Sequence, residues 1–565
     1  MRMRKIAPAV VGAAALALVV AGCGGGDADN AAKNTGNKTQ STGGTGVGTQ
    51  PLNIGMPNGP VQNVSNPFLN TSAGAALGYT NVIFEPLMQI NDTRPADAPT
   101  PWLAKSMEWN KDYTEVKITP RDGVKFSDGT PMTADDIAYS IQLRIDNEAL
   151  NTEGLPYKSV TNEDGVVTVT FKSSQFVNQA KVYGLIVVPK HIWSKISDPT
   201  KDLVQNPVGT GPYVFKSFSG QTVTLDANKD YWGGQLAVPE LRYTGYKGND
   251  PQITALQTGQ SDWSWVFIAD YQNVYVAKDP DHNKVYSAAG LGIDQLVLNN
   301  EKGPFSDVNL RKALNMVLDR EKAAKIAESG LFPQLTSVTG IPTPAGDSFI
   351  ADQYKGKNYS IDVDGAKKQL TDNGYTYSGD KLMKDGKQVS VVLQDPAGWN
   401  DYITSLQLIA TSLKSIGVAA KVETPTVDAW TANLNTGDFD AALHWTDGGS
   451  TPYQMYSSMF DPNYYVPLGK NATWDIGRYN NPDAKAQFDK YIAATDDSTR
   501  KAALDKLQEF WVNDVPAIGV DARPSAAEYS TKNYVGWPDE QNPYADPQPT
   551  NKNASLILTK LKPAS

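Results

Sequence analysis

Residues 121–140 read RDGVKFSDGTPMTADDIAYS, and the order of residue types within them is that of a strand, a turn and a capped helix. The strand is expected to end at Phe126 and the turn to form on Asp128-Gly129. Thr133 is expected to cap a helix whose first turn carries Asp135 and Asp136, where the helix dipole favours negative charge.

Outward from this stretch the chain keeps mixing the two periodicities. Residues 166–171 (VVTVTF) alternate as a half-buried strand, and 221–225 (QTVTL) do the same. Between 310 and 327 (LRKALNMVLDREKAAKIA), Leu310, Leu314, Val317 and Leu318 fall on one helical face, with a start signal at Ser306 and Asp307. A second helix is predicted over about 403–416, where Leu406, Ile409, Leu413 and Ile416 recur at three and four. Mixed α/β content follows, and a chain of 565 residues is too long for one hydrophobic core, so two or three domains are expected.

The amino terminus carries a different message. Arg2, Arg4 and Lys5 precede an uncharged, Ala/Val/Leu-rich run from Ile6 to Val20, which ends in Val20-Ala21-Gly22-Cys23. A charged segment followed by so short an apolar one is the layout of a signal peptide, not of a bilayer-spanning helix. It resembles a bacterial lipoprotein signal, which implies cleavage before Cys23 and acylation of its thiol. Cys23 is the only cysteine, so no internal disulfide is possible, and stability must come from packing. Residues 24–50 are dominated by Gly, Thr, Asn and Ala and read as a flexible tether. Without Arg2, Arg4 and Lys5 the 51 basic residues fall to 48 against 61 acidic ones, a net charge of −13. That balance argues against nucleic acid or anionic lipid as the main partner.

Signatures of catalysis are missing. The three histidines, His191, His282 and His444, do not form a paired-histidine zinc helix, and no G-x-S-x-G or Walker sequence occurs. Residues 360–371 have Asp362, Asp364 and Gly365 in the manner of a calcium loop, but Thr371 stands where Glu is needed, so a plain turn is the expectation. No metal or cofactor is expected. A secreted hydrolase with a hidden carboxylate pair is the alternative from another class.

The 121–140 stretch resembles the signature of the family 5 extracellular solute-binding proteins, the oligopeptide, dipeptide and nickel receptors of ABC importers. Other landmarks of that family follow in order. They include Phe84-Glu85-Pro86-Leu87, Pro101-Trp102-Leu103-Ala104, the segment Pro207-Val208-Gly209-Thr210-Gly211-Pro212-Tyr213, and Asp230-Tyr231-Trp232. Ala255-Leu256 with Gly259 and Asp262, residues 299–320, and residues 406–418 complete the set. The resemblance implies an α/β, type II periplasmic-binding-protein-like fold of the large cluster C type, with two lobes, a hinge and an extra subdomain. Residues 1–22 would be the signal and 23–50 the tether. The base lobe would comprise 51–90, 205–299 and 517–565, the extra subdomain 91–204, and the second lobe 300–516. Most landmark residues are expected to be architectural, with Gly129, Gly209 and Gly211 serving turns and Arg311 or Asp319 tying helices together.

What the resemblance implies for function is a lipid-anchored, monomeric receptor on the outer face of the cell membrane that hands its ligand to ABC permease subunits. Peptide-binding relatives hold the ligand's amino terminus with an aspartate a few residues after a Gly-Trp. Here the matching stretch runs His444-Trp445-Thr446-Asp447-Gly448 and reaches Pro452 after Thr451. Counted from Trp445, the aspartate's place is taken by Gly448, with Asp447 one residue early. The candidate ligand contacts are therefore His444, Trp445, Thr446 and Asp447, joined by the aromatic residues Trp263, Trp265, Trp399 and Tyr453. Twelve tryptophans also suit an oligosaccharide, since indole faces stack on sugar rings. A carbohydrate ligand is the second reading.

Overall fold

The computed structural model describes residues 46–69, 72–446 and 448–565. Cys23, the signal segment and most of the tether lie outside the described residues, as does Asp447. Ten strands form one sheet: β1 (Leu52–Met56), β2 (Tyr213–Ser219), β3 (Thr222–Ala227), β4 (Glu240–Gly245), β5 (Trp263–Ser264), β6 (Asn283–Leu298), β7 (Ser390–Gln394), β8 (Ala419–Glu423), β9 (Ala441–Trp445) and β10 (Ala517–Ser530). Their spatial order is β8-β7-β9-β6-β10-β5-β1-β4-β3-β2.

The two long strands in the middle, β6 and β10, pair antiparallel along most of their length, with register breaks between Ala289 and Ile293 and after Asp294. On one side of them β9 pairs with β6 and β7 runs parallel to both β8 and β9. The helix Asn400–Ser415 makes the β7-to-β8 crossover, as a parallel pair requires. Leu310, Leu314, Leu393, Leu406 and Ile409 fill the core beneath this half. On the other side β5, β1 and β4 are parallel neighbours and β3 and β2 extend the sheet as a meander. Leu52, Ile54, Leu225, Tyr243, Trp263 and Trp537 form a separate core there. A third core, with Val116, Ile118, Phe126, Val167 and Val169, lies under a four-stranded antiparallel sheet ordered Ala104–Trp109, Glu115–Pro120, Val166–Phe171, Tyr157–Glu163. Val166–Phe171 buries every second residue, as its alternation predicts.

The 121–140 stretch folds largely as read. Asp136 accepts from the Thr133 amide at 2.9 Å and the Thr133 hydroxyl at 3.2 Å, opening the helix Ala134–Asp146. Gly129 takes φ +88° in the turn, which favours glycine. The strand stops at Pro120 rather than Phe126, because a turn with Gly123 at φ +77° intervenes. Lys125 is left with a single bridge to Pro131.

Two further expectations are corrected. Gly209 and Gly211 have no left-handed backbone. A Cβ at either would strike the carbonyls of Ile83 and Val82, so the glycines permit close passage of two chain segments, which Gly211 N–H seals by donating to Ile83 O at 2.9 Å. The helix expected over 310–327 breaks in two. Val308–Val317 ends, and Asp319 caps a new start at Arg320 by accepting from Lys322 N–H at 3.0 Å. The buried Arg320 guanidinium donates to Gly519 O at 2.8 Å, and this tertiary bond overrides the helical periodicity. Arg311 does tie elements, donating to Val515 O at 2.9 Å and Phe305 O at 2.8 Å. Asp362 caps the helix Val363–Asp372 by accepting from Gly365 N–H at 2.8 Å.

The landmarks 84–87, 101–104 and 230–232 meet on one side chain. Glu85 is fully buried and accepts from Trp102 Nε1 and Tyr231 OH, each at 2.7 Å, and from Trp232 Nε1 at 3.0 Å. Arg121 lies over the Trp232 ring at 4.7 Å. Burial pushes the Glu85 carboxyl up to about 7, against the lowering effect of its three donors.

Candidate functional site: a divided cleft at the crossing strands

Where β6 and β10 pass from one half of the sheet to the other, two cavities open and share Arg523 in their walls. The larger is about 1050 Å³ and the smaller about 580 Å³.

Sheet register builds the floor of the larger cavity. Asp294 on β6 lies opposite Trp445 on β9 and opposite Asp521 on β10. One row across three strands thus carries Trp445, Asp294 and Asp521, and Arg523, two residues on, shares their face. Arg523 Nη1 donates to Asp294 Oδ1 at 3.1 Å, and Tyr402 OH donates to the same oxygen at 2.8 Å. The Arg523 guanidinium also stands 5.4 Å from the Trp445 ring centroid. Its side chain is 43% exposed whereas Asp294 is 1% exposed, so the pair spans the boundary between cavity and interior.

Behind this pair the charge is unbalanced. Burial and neighbouring carboxylates push Asp521, Glu328 and Asp401 up, and burial pushes Asp395 up to about 8. Asp294 Oδ2, Asp521 Oδ1, Asp395 Oδ1 and both oxygens of Glu328 have no hydrogen-bond partner. Among the described residues, no three histidine, cysteine or acidic side chains could hold a metal ion.

Five of the eight candidate contacts line one of the two cavities. Trp445 and Trp399 line the larger cavity from one side, their ring centroids 6.4 Å apart, and Trp265 lines it from the other. Thr446 and Tyr453 line the smaller cavity. The Thr446 hydroxyl accepts from Ile293 N–H at 2.9 Å, and Tyr453 stacks on Tyr491 at 5.1 Å. Two residues stand elsewhere. Trp263 is buried against Trp537 and donates to Pro547 O at 2.9 Å. His444 is sandwiched between Trp430 and Trp445, with Nδ1 donating to Trp445 O at 2.7 Å, and burial lowers its pKa. Thr451, in place of the family's acidic residue, caps the helix Pro452–Phe460. Arg523, Asp294, Asp401 and Tyr402 were not anticipated. The signal available for Arg523 was charge inside an apolar strand, since Asp521 and Arg523 interrupt the run 517–530 (AIGVDARPSAAEYS).

Across the smaller cavity the 91–204 region touches the region that follows β6. Gln454 Nε2 donates to Val177 O, Phe176 meets Tyr491 at 5.9 Å, and the Arg500 guanidinium lies 3.3 Å from the Phe176 ring centroid. These contacts join the two regions beside the smaller cavity.

The chain is similar to known proteins over most of its length. Residues 98–466 match the family model described as bacterial extracellular solute-binding proteins, family 5 Middle. The oligopeptide-binding protein AppA of Bacillus subtilis is 25% identical over 498 residues, covering 83% of this chain and 84% of that protein. The crystal structure of a periplasmic oligopeptide-binding protein of an oligopeptide ABC transporter from Thermotoga maritima superposes with a TM-score of 0.80 at 22% identity. It covers 91% of this chain and 99% of that one. The mannohexaose-bound form of the Thermotoga protein gives a TM-score of 0.73, again at 22% identity, covering 91% and 98% of the two chains. At such identities the structural likeness is one of fold, and that fold is the two-lobed type II periplasmic-binding-protein architecture. With the family model matching well over half of its residues, this chain belongs to the bacterial extracellular solute-binding proteins of family 5.

Proposed function

We propose that this protein is the substrate-binding lipoprotein of an ABC importer and that it captures a short oligopeptide-type ligand between its lobes. The observation that carries the reading is the pair of cavities meeting at Arg523, where two strands connect the halves of the sheet. Ligand buried there would favour the closed arrangement of the lobes, taken as 51–90 with 205–299 and 517–565 against 300–516, with 91–204 as the extra subdomain. Acylated Cys23 would keep the monomeric receptor on the outer face of the cell membrane, beside permease subunits whose partner ATPases supply the energy. The protein itself performs no chemistry in this scheme.

An oligosaccharide is the second reading. Trp399, Trp445 and Trp265 present aromatic surface to the larger cavity, which suits sugar rings, and the Thermotoga relative has been crystallised with mannohexaose.

A thermal-shift screen of the full chain against di- to pentapeptides and mannose or glucose oligomers tests both. A ligand at a hundredfold excess over its Kd adds about 2.7 kcal/mol of stability. Peptide-dependent stabilisation is the expected result, and its loss in Asp447→Ala would mark Asp447 as the amine contact. A response to sugars alone would replace the first reading with the second.

A further inference from the structure

We infer that the larger cavity receives a positively charged group of the ligand, an ammonium or guanidinium, between its tryptophans and the carboxylates Asp294 and Asp401. The inference deepens the proposed function and rests on the cleft being the ligand site.

Three observations carry it. Asp294 is 1% exposed, lines the cavity, and leaves Oδ2 without a partner. An unpaired buried carboxylate oxygen is costly unless something cationic or hydrogen-bonding completes it. The walls also hold a working example of the recognition, because Arg523 already sits with its guanidinium on the Trp445 face and one nitrogen on Asp294 Oδ1. Trp399 and Tyr402, 5.9 Å apart, offer a second aromatic surface beside Asp401.

Charge balance supplies the third. Arg523 is bonded to Asp294 and acts through space on Asp401, Asp521 and Glu328, so one cation serves several acids. Burial lowers the pKa of the neighbouring His444. The opposite wall adds Lys247 and Asp250, one of each sign, and leaves the imbalance unchanged. A metal ion is disfavoured by the absence, among the described residues, of three converging ligands.

Calorimetric titration of the full chain with two matched pairs tests the idea. One pair is Ala-Arg-Ala-Ala against the same peptide with neutral, isosteric citrulline. The other is a glucosamine tetramer against its N-acetylated form. In whichever pair binds, the charged member is expected to bind about tenfold tighter or better, and Asp401→Asn should reduce that ratio. Equal affinity within a binding pair overturns the inference and leaves the cleft as the ligand site. A preference that survives intact in Asp401→Asn also overturns it. No binding by any of the four compounds rejects it together with the reading of the cleft.

Discussion

Glu85→Ala is expected to be among the most destabilising substitutions in the chain. The carboxylate is the common acceptor for Trp102, Tyr231 and Trp232, and its removal orphans two buried donors, at about 1–3 kcal/mol each, and the half-buried Trp232 N–H. The cavity left behind adds to the loss. Glu85→Gln should be milder, since its amide oxygen can still serve Trp102 and Tyr231 while its nitrogen faces the Trp232 N–H. Chemical denaturation of each variant checks the order. A Glu85→Ala protein as stable as the parent would show that these three landmark segments are not held together by their shared acceptor.

The second large effect is a fall in the stability of the ligand-free protein as pH rises. Burial raises Glu85 to about 7 and Asp395 to about 8, and raises Glu328 and Asp521 as well. For each of these groups the folded pKa exceeds the unfolded one. The folded chain therefore holds more protons than the unfolded chain above about pH 4.5, and stability declines with pH by about 1.4 kcal/mol per unit for each group in its titration range. Asp496, lowered to about 2 by its bonds to Ser498 and Thr499, has the opposite sign and matters only in acid. The unfolding midpoint should be highest near pH 4.5 and fall from pH 5 through pH 8. A midpoint that rises over that interval would contradict the raised pKa values of these buried carboxyls. Glu85→Gln should also lose its disadvantage as pH passes 7, because the parent then carries a buried charge that the variant lacks.

Local chemistry was the most legible part of the sequence. The Thr133 cap, the Gly129 turn and the alternating strand at 166–171 depend on neighbours a few residues apart, and all three formed. The break at Leu318–Asp319 was invisible because the apolar spacing continues across it, and only the reach of Arg320 to Gly519 decides it. Glu85 gave no local sign of its role, since its partners come from residues 17 to 147 positions away.

The site divides along the same line. Trp445, Trp399 and Trp265 could be picked out as aromatic residues near expected cleft segments. Trp263 stands two residues from Trp265, but β5 ends at Ser264, so the first indole stays in the core while the second leaves the sheet for the cavity. The Asp294, Asp521 and Arg523 constellation depends on the register of β6 against β10, and that register contains breaks that no alternation rule supplies.

As a solute receptor, the protein should bind its ligand in the cleft and release it unchanged. Equilibrium dialysis of the full chain against a stabilising peptide, followed by mass spectrometry of the recovered ligand, tests it most directly. One ligand bound per chain and quantitative recovery of intact peptide after prolonged incubation are expected. Progressive conversion of the ligand to a product would contradict it and make the protein an enzyme.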